Sequence, residues 1–473
     1  MTDTKRYPRM ASLKTPDDVR RHAESLGVDM PIDDSIDVDA MASSIEFQSH
    51  TIGNRFCILP MEGWDGTTDG KPTDLTHRRW RNFGLSGAKW IWGGEAVAVR
   101  HDGRANPNQV MISDANAAEI GALRDTLFDA HREHFGDDGD LFVGLQLTHS
   151  GRWARPNQKT VPEPMIAVRN PPLDRRLGIE DETRTFTDDQ LKRLIDDFIA
   201  AAVHAWKLGF AFVDIKHCHG YLGHELLTGR NRPGPFGGSL DNRLKFFRDI
   251  VDGIRDQAPG LLIGTRLSLF DFVPFEPDDD GVGRPVDGAD PQLSFACGDD
   301  GVSPDLEQTD QLLSKLAAMD VRMICTTAGI PYATPHIQRP ATFPPTDGYG
   351  PPEDPLVGVA RQIAATAEMK RRHDDMLFIG SGYTYLQDHL ARVGGAVVRD
   401  GMADSIGLGR MVLSYPDLPA DVIAGREMTR KKICRTFSDC TSAPRNGMIS
   451  GCYPLDPFYK DRPERQQLVE LKR

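Results

Sequence analysis

The chain has 473 residues, of which 39% are hydrophobic and 26% are charged, an ordinary composition for a globular protein. Its 69 acidic and 56 basic side chains give a formal net charge of −13, which argues against general binding to nucleic acid or to an anionic membrane, because both repel an acidic surface. No run of about 18 apolar residues occurs, and the N-terminus lacks the apolar core of a secretion signal. We therefore expect a soluble, cytoplasmic protein.

Short apolar runs begin at about residue 55 and alternate with amphipathic stretches, a rhythm typical of βα units around a parallel sheet. The stretches between the runs, such as residues 187–209, have apolar residues at helical spacing. We predict eight strands, at residues 55–60, 90–96, 141–149, 212–217, 261–268, 322–329, 376–382 and 404–410. Eight strands separated by helices favour a closed (β/α)₈ TIM barrel over an open doubly wound sheet.

The barrel pattern does not account for the whole chain. We assign residues 1–45 to an N-terminal extension, 46–425 to the barrel and 426–473 to a C-terminal extension, and a Thr-Pro pair at 15–16 predicts a helix start in the first of these. Residues 271–304 form a long acidic loop after the fifth strand. This loop either borders the active site, because such loops emerge at the catalytic face, or is a disordered surface insertion.

Polar residues crowd the end of the fourth strand, and the ends of strands carry the functional residues of such barrels. They include Lys216, His219 and Tyr221. A lysine beside an apolar interior is costly unless it is paired or functional. The structural alternative is an ion pair of Lys216 with Asp214 or Glu62.

Two motifs in this region lead to a family. The sequence VDIKHCHGYL at 213–222 is followed by GGSLDNR at 237–243. Together they resemble the strand-four signature of the Old Yellow Enzyme, or NADH:flavin oxidoreductase, family, and motifs in the same order extend the resemblance over about residues 50–425. The resemblance implies FMN at the C-terminal ends of the strands. NAD(P)H would dock transiently as the electron donor, since no G-x-G-x-x-G motif opens a helix after a strand.

The resemblance also implies which residues contact the flavin. Glycines after strands seven and eight would free backbone N–H groups for the phosphate, and Arg410 would add a bidentate charge. Gln146 would bind the pyrimidine edge, and Arg243 would place a positive charge near N1 and the C2 carbonyl. The predicted cofactor-binding residues are Pro60, Met61, Glu62, Ala96, Gln146, Arg243, Ser381, Gly382, Gly409 and Arg410.

The same resemblance implies catalytic roles for three residues. Tyr221 would deliver a proton, while Lys216 and His219 would hold the activating oxygen of the substrate; Lys216 stands where the family usually has His or Asn. Tyr221 as a core tyrosine at the barrel rim is the structural alternative. The leading hypothesis is an NAD(P)H-driven ene-reductase that reduces an activated C=C bond. An FMN-dependent amine dehydrogenase or N-demethylase, its site shaped by Glu62 or Lys216, is the alternative, and a barrel that binds ligand without turnover is a third.

The tail departs from its larger relatives. Its layout resembles the 2,4-dienoyl-CoA reductase and trimethylamine dehydrogenase branch, which carries a [4Fe–4S] cluster on C-x₂-C-x₃-C-x₁₁-C. Cys440 and Cys452 keep the last spacing, but the first two positions are Ile433 and Thr436, and Cys434 is out of register. Because such clusters usually need four thiolates, we predict buried apolar cysteines and neither a cluster nor another metal site. The expected partner is a small-molecule substrate. A homo-oligomer, in which the chain would bind further copies of itself, is possible.

Overall fold

The computed structural model describes residues 7–472 and is built around eight parallel strands. In chain order these are β1 (Phe56–Ile58), β2 (Trp90–Ile91), β3 (Phe142–Thr148), β4 (Phe212–Ile215), β5 (Leu262–Ser268), β6 (Met323–Thr327), β7 (Leu377–Gly380) and β8 (Ser405–Leu408). Each strand pairs with the next, and β8 pairs with β1 through Ile406 and Phe56, which closes the ring. The predicted (β/α)₈ TIM barrel is therefore confirmed.

Amphipathic helices form the outer layer. Residues 188–207 show why: Thr187 caps the first turn in a capping box with Gln190, and apolar side chains at helical spacing, including Leu191 and Leu194, are buried against the strands. The long helices that follow β1 to β7 in turn are Asp74–Gly84, Ala117–Phe135, Asp188–Lys207, Lys245–Gln257, Leu306–Ala318, Pro355–Arg372 and Leu390–Arg399. Shorter helices are Pro171–Leu177, Leu222–Leu227, Leu240–Arg243, Pro335–Gln338, Met411–Ser414 and Leu418–Ile423.

Aromatic side chains fill the lower part of the barrel interior. Phe142 and Phe212 stack with ring centroids 4.9 Å apart, and Trp92 lies 5.1 Å from Phe212. A hairpin of Ile45–Phe47 and His50–Ile52 packs its buried isoleucines into the same cluster. With this half of the barrel occupied by side chains, space for a ligand lies toward the C-terminal ends of the strands.

Regular elements also form in the N-terminal segment and in the acidic loop. Helix Pro16–Ser25 begins at the predicted Thr-Pro pair, with Thr15 as its cap, and Val38–Ala42 follows. The loop at 271–304 forms a hairpin of Phe275–Pro277 and Gly283–Pro285 and lines a small cavity of about 30 Å³ behind the main site. None of its residues lines the main cavity.

The C-terminal segment folds back over the mouth of the barrel. Its helices are Asp439–Arg445, Pro457–Lys460 and Glu464–Leu471. A bidentate ion pair from Arg78 to Asp456, at 2.9 and 3.0 Å, ties this segment to the helix after β1. Lys159 donates to the carbonyl of Gly447 at 2.9 Å on the opposite side. Within residues 7–472, no helix is long and apolar enough to cross a membrane.

Candidate active site

A cavity of about 280 Å³ opens at the C-terminal ends of the strands. Barrel enzymes place their chemistry at this face. The predicted site residues that line it are Pro60, Met61, Glu62, Ala96, Gln146, Lys216, His219, Tyr221, Ser381, Gly382, Gly409 and Arg410. Residues from strands far apart in sequence therefore meet in one cavity, because the C-terminal ends of all the strands lie at the same end of the barrel.

Lys216, Tyr221 and Glu62 form a contiguous array. The ammonium of Lys216 lies 3.6 Å from the centroid of the Tyr221 ring, a cation–π contact, and the Tyr221 hydroxyl donates to Glu62 Oε2 at 2.6 Å. Burial lowers the pKa of Lys216 and raises the pKa of Glu62, while each opposes the other's shift by its charge. Among the described residues Lys216 forms neither of the ion pairs considered as its structural alternative; the tyrosine ring takes that place.

His219 is held in a strained turn directly above β4. Its backbone has φ 66°, a left-handed conformation uncommon for a residue other than glycine. His219 Nε2 lies 3.3 Å from Gln338 Nε2 and 3.4 Å from Thr327 Oγ1, so this ring nitrogen faces two polar side chains of the cavity wall. Burial, together with the charges of Arg266 and Lys216, lowers the pKa of His219 well below its ordinary value, so the imidazole is neutral.

Asp214 orients the side chains at the bottom of the cavity. One of its oxygens accepts from Gln146 Nε2 at 2.5 Å and from Trp92 Nε1 at 2.7 Å, and the other accepts from the backbone N–H of Arg266 at 2.7 Å. Burial raises the pKa of Asp214 to about 6 despite these bonds. Because the amide nitrogen of Gln146 donates to Asp214, the orientation of the amide is fixed, and with it the direction of its carbonyl oxygen.

Arg243 is not at the cavity, which corrects one prediction. It lies on the short helix Leu240–Arg243 outside the barrel, where its guanidinium donates to the carbonyls of Gly238 and Leu227. Among the arginines that do line the cavity, Arg266 on β5 donates to the carbonyl of Pro60 at 3.3 Å and leaves Nε buried without a partner. The GGSLDNR motif carries a helix cap at Ser239, and a helix that starts there turns Arg243 away from the barrel mouth.

The ends of β7 and β8 form the other side of the cavity. Ser381 Oγ donates to the carbonyl of Thr326 at 2.6 Å, and Gly382 has φ 95°, which a side chain would strain. A Cβ added at Gly409 would meet no heavy atom within 4 Å, so its backbone borders open space. Arg410 Nη1 is buried without a hydrogen-bond partner. A guanidinium nitrogen that lacks an acceptor, beside exposed glycine backbone, is the kind of site that binds a phosphate.

An ion cluster supports the loop after β1. Arg79 binds Asp65 and Glu95 at 2.5 Å each, and Glu95 also accepts from the backbone N–H of Gly63. All three charged side chains are buried, and burial is the main cause of the raised pKa of Glu95. The cluster fixes the loop that carries Glu62.

Several cavity residues had no signal in the sequence. Tyr332, Gln338 and Arg339 come from the loop after β6, which lacks a recognisable motif. The tail adds Cys440, Thr441, Pro444, Arg445, Ser450, Gly451, Asp456 and Tyr459. These residues approach the site only through the path of the tail over the barrel, which no local pattern encodes.

The tail cysteines lie near one another. Cys434 and Cys452 are buried and Cys440 borders the cavity. Burial raises the pKa of Cys434 to about 11 and raises that of Cys452 further. Within residues 7–472, no three His, Cys, Asp or Glu side chains are grouped so that they could hold a metal ion.

This barrel, with its polar cavity at the strand ends, can be compared with known proteins. Residues 43–282 match the family described as NADH:flavin oxidoreductase / NADH oxidase. The chain belongs to this family, which confirms the resemblance drawn from the motifs around β4.

Curated relatives match about half of the chain. An NADH:flavin oxidoreductase of Gibberella zeae is 29% identical over 251 residues, which are 49% of this chain and 57% of that protein. An NADPH dehydrogenase of Bacillus subtilis is 29% identical over 234 residues, 48% of this chain and 63% of the relative. The chain thus spans about three fifths of the length of these relatives.

Solved structures share the fold over most of the chain. A 2-naphthoyl-CoA reductase in complex with 2-naphthoyl-CoA has a TM-score of 0.66 at 16% identity, covering 90% of this chain and 58% of that one. Histamine dehydrogenase from Rhizobium sp. 4-9 has a TM-score of 0.62 at 18% identity, with coverages of 90% and 53%. An Old Yellow Enzyme homologue from Zymomonas mobilis has a TM-score of 0.57 at 20% identity, with coverages of 83% and 94%.

Proposed function

We propose that the chain binds FMN in the main cavity and catalyses NAD(P)H-driven reduction of an activated C=C bond. One observation carries this proposal: Lys216, His219 and Tyr221 meet in a single cavity. On the far side of that cavity, Arg410 has a buried nitrogen without a partner, which could donate to a phosphate. Membership of the flavin oxidoreductase family supports it.

The cavity residues fit a flavin mononucleotide. Arg410, with backbone N–H groups near Gly382 and Gly409, would hold the phosphate, and Gln146 and Arg266 would bind the pyrimidine edge. The buried Nε of Arg266 lacks a partner, as expected of a donor reserved for a ligand. When bound, FMN supplies a redox group that takes hydride from NAD(P)H and passes it to the substrate.

Lys216 and His219 would hold the substrate's carbonyl oxygen. His219 is neutral, so it donates as an uncharged group. Lys216, as a cation, donates a stronger hydrogen bond to the oxygen as negative charge develops there. Its burial in the cavity wall increases this effect, because little water screens the charge.

Tyr221 would deliver the proton to the substrate carbon. Burial and the neighbouring Glu62 raise its pKa well above the ordinary value, so the hydroxyl keeps its proton until the substrate accepts it. Glu62, whose own pKa is raised by burial, sits 2.6 Å from that hydroxyl. By accepting this hydrogen bond, Glu62 fixes the orientation of the Tyr221 hydroxyl in the cavity.

A second candidate function, an FMN-dependent amine dehydrogenase or N-demethylase, is favoured by the position of Glu62. Its carboxylate lines the cavity beside the rings of Tyr221 and Tyr332. A carboxylate and aromatic faces together attract a substrate ammonium. In this alternative Glu62 would bind the amine, and FMN held by the same residues would supply the oxidising group.

One set of measurements separates these functions. The purified protein should be yellow, and mass spectrometry of the released cofactor should give FMN. Under anaerobic conditions, NADH or NADPH should bleach the flavin band and cyclohexenone should restore it. Bleaching by methylated amines but not by NAD(P)H would replace the first function by the second. A colourless protein that FMN cannot reconstitute would refute both and leave a barrel without turnover.

A further inference from the structure

Arg339 and Arg410 are two adjacent cations without carboxylate partners. Arg410 Nη2 donates to the carbonyl of Pro340 at 3.3 Å, which puts its guanidinium against the loop that carries Arg339, and both arginines line the main cavity. Each has one terminal nitrogen that is buried without a hydrogen-bond partner, Nη2 in Arg339 and Nη1 in Arg410. A buried guanidinium nitrogen without an acceptor is costly unless a ligand supplies one.

Three other arginines that line the cavity have carboxylate partners. Arg78 pairs with Asp456, Arg79 pairs with Asp65 and Glu95, and Arg445 pairs with Asp347. Within residues 7–472, neither Arg339 nor Arg410 has a carboxylate within ion-pairing distance. Arg266 on β5 also lacks one among these residues, but Arg339 and Arg410 lie beside each other, so two uncompensated positive charges meet where β6, β7 and β8 end.

The electrostatics of Arg339 agree with a missing anion. Burial, and then the guanidiniums of Arg445 and Arg410, lower the pKa of Arg339 to about 9. An arginine stays protonated at neutral pH, so this shift reflects first the cost of burying the charge and second the repulsion by the neighbouring guanidiniums. A phosphate monoester carries a charge of about −1.5 to −2 at pH 7, which matches two guanidiniums.

We propose that Arg339 is a second arginine for the flavin phosphate, which it would bind together with Arg410. This rests on the proposed function, because it takes FMN as the ligand of the cavity. The tail takes part as well: Arg339 Nη1 donates to Thr441 Oγ1, which orients the guanidinium and leaves Nη2 for the phosphate. Thr441 is thus a positioning residue, and the tail belongs to the cofactor site as well as to the cover of the cavity.

Comparing FMN with riboflavin, which lacks the phosphate, tests the assignment without measuring turnover. Dissociation constants of both flavins would be measured by fluorescence quenching for the wild-type chain, Arg339→Gln, Arg410→Gln and Arg339→Lys. Arg371→Gln, at a side chain that is 70% exposed on helix Pro355–Arg372, controls for the loss of one positive charge.

We expect Arg339→Gln to weaken FMN binding about 10- to 100-fold, the range for one charge-assisted hydrogen bond, with riboflavin binding changed less than about twofold. Arg410→Gln should behave in the same way, Arg339→Lys should lose less, and Arg371→Gln should leave both flavins unaffected. An unchanged ratio of the two dissociation constants in Arg339→Gln would overturn the assignment and point to a substrate anion at Arg339.

The outcomes also separate this inference from the proposed function. A wild-type chain that binds neither flavin refutes the function itself. A wild-type chain that binds FMN, with an Arg339→Gln variant in which both flavins weaken equally, refutes only the role of Arg339. If thermal melting shows that Arg339→Gln is unfolded, the ratio measured for Arg339→Lys decides, and an unchanged ratio there overturns the assignment.

Discussion

The hydroxyl of Tyr221 donates to Glu62 Oε2 at 2.6 Å, so the proposed proton donor of the site is bound to a carboxylate rather than free in the cavity. Glu62 comes from the loop after β1 and Tyr221 from the loop after β4. Their contact crosses the mouth of the barrel. It fixes the position of the hydroxyl that would protonate the substrate.

Tyr221→Phe tests this role. Proton delivery belongs to the half-reaction with the enone, so flavin binding and reduction by NAD(P)H should be nearly unchanged, while reoxidation by an enone should slow by about 10² to 10⁴, the usual contribution of general acid catalysis. Stopped-flow absorbance measures the two half-reactions separately. Tyr332→Phe, at the neighbouring tyrosine of the cavity, is the matched control and should slow reoxidation far less. If both half-reactions of Tyr221→Phe slow together, or if reoxidation is unaffected, Tyr221 is not the acid.

The arginine near the flavin ring is predicted to be Arg266. Arg266→Ala should weaken FMN binding about 10- to 100-fold, because it removes a charged donor from the cavity, and should lower the reduction potential of bound flavin. Arg243→Ala should leave both properties unchanged, since that side chain binds carbonyls outside the barrel. Flavin titration and potentiometry measure the two effects. The reverse pattern would restore the prediction drawn from the GGSLDNR motif.

The protein is predicted to contain no iron–sulfur cluster. Ile433 and Thr436 stand at two of the four ligand positions, and burial raises the pKa of the Cys434 and Cys452 thiols, which disfavours thiolates. Iron and acid-labile sulfide should both be absent after anaerobic purification, and Cys440→Ser should keep the same visible spectrum. About four irons and four sulfides per chain would contradict this prediction.

The buried carboxyl of Asp271 should make stability depend on pH. Burial raises its pKa to about 7, despite hydrogen bonds from the backbone of Phe272 and from Thr334. Because the folded state holds this proton more tightly than the unfolded chain, the contribution of Asp271 is fully present below about pH 4 and is lost as the pH rises to about 7. Asp271→Asn should therefore gain stability relative to wild type across that interval.

Thermal melting at pH values from 4 to 8 measures the difference, which should be on the order of a few kcal/mol at the upper end. Asp280→Asn, on the exposed tip of the same loop, is the control and should follow the wild-type curve. A constant difference between Asp271→Asn and wild type over the whole range would show that Asp271 titrates normally.

The sequence predicted the barrel, and twelve of the thirteen predicted site residues line the cavity, because the relevant signals are local. Each strand is a short apolar run, and the functional residues directly follow such runs, as Lys216 and Gly409 do. Closure of the barrel then brings them together without further information. Arg243 was predicted at the cavity and does not lie there, because a motif shared with a family does not state which face of its helix a residue occupies.

The rest of the site depends on long-range packing. Arg339 and Thr441 are about a hundred positions apart, in segments without periodic or motif signal, and they meet because the tail crosses the barrel mouth. The Thr346 N–H to Ser442 hydroxyl bond, at 3.1 Å, is part of the same docking. Such contacts depend on the shape of the assembled barrel, which cannot be predicted from a local sequence pattern.

The path of the tail has a consequence for synthesis of the protein. Gln146, Lys216 and Tyr221 leave the ribosome well before Ser381, Arg410 and Thr441, so the cavity has only one wall until these later residues emerge. A ligand that touches both walls can therefore be held only after Thr441 has been made. Once bound, it joins parts of the chain that are made at different times, and its loss should release the tail before the barrel opens.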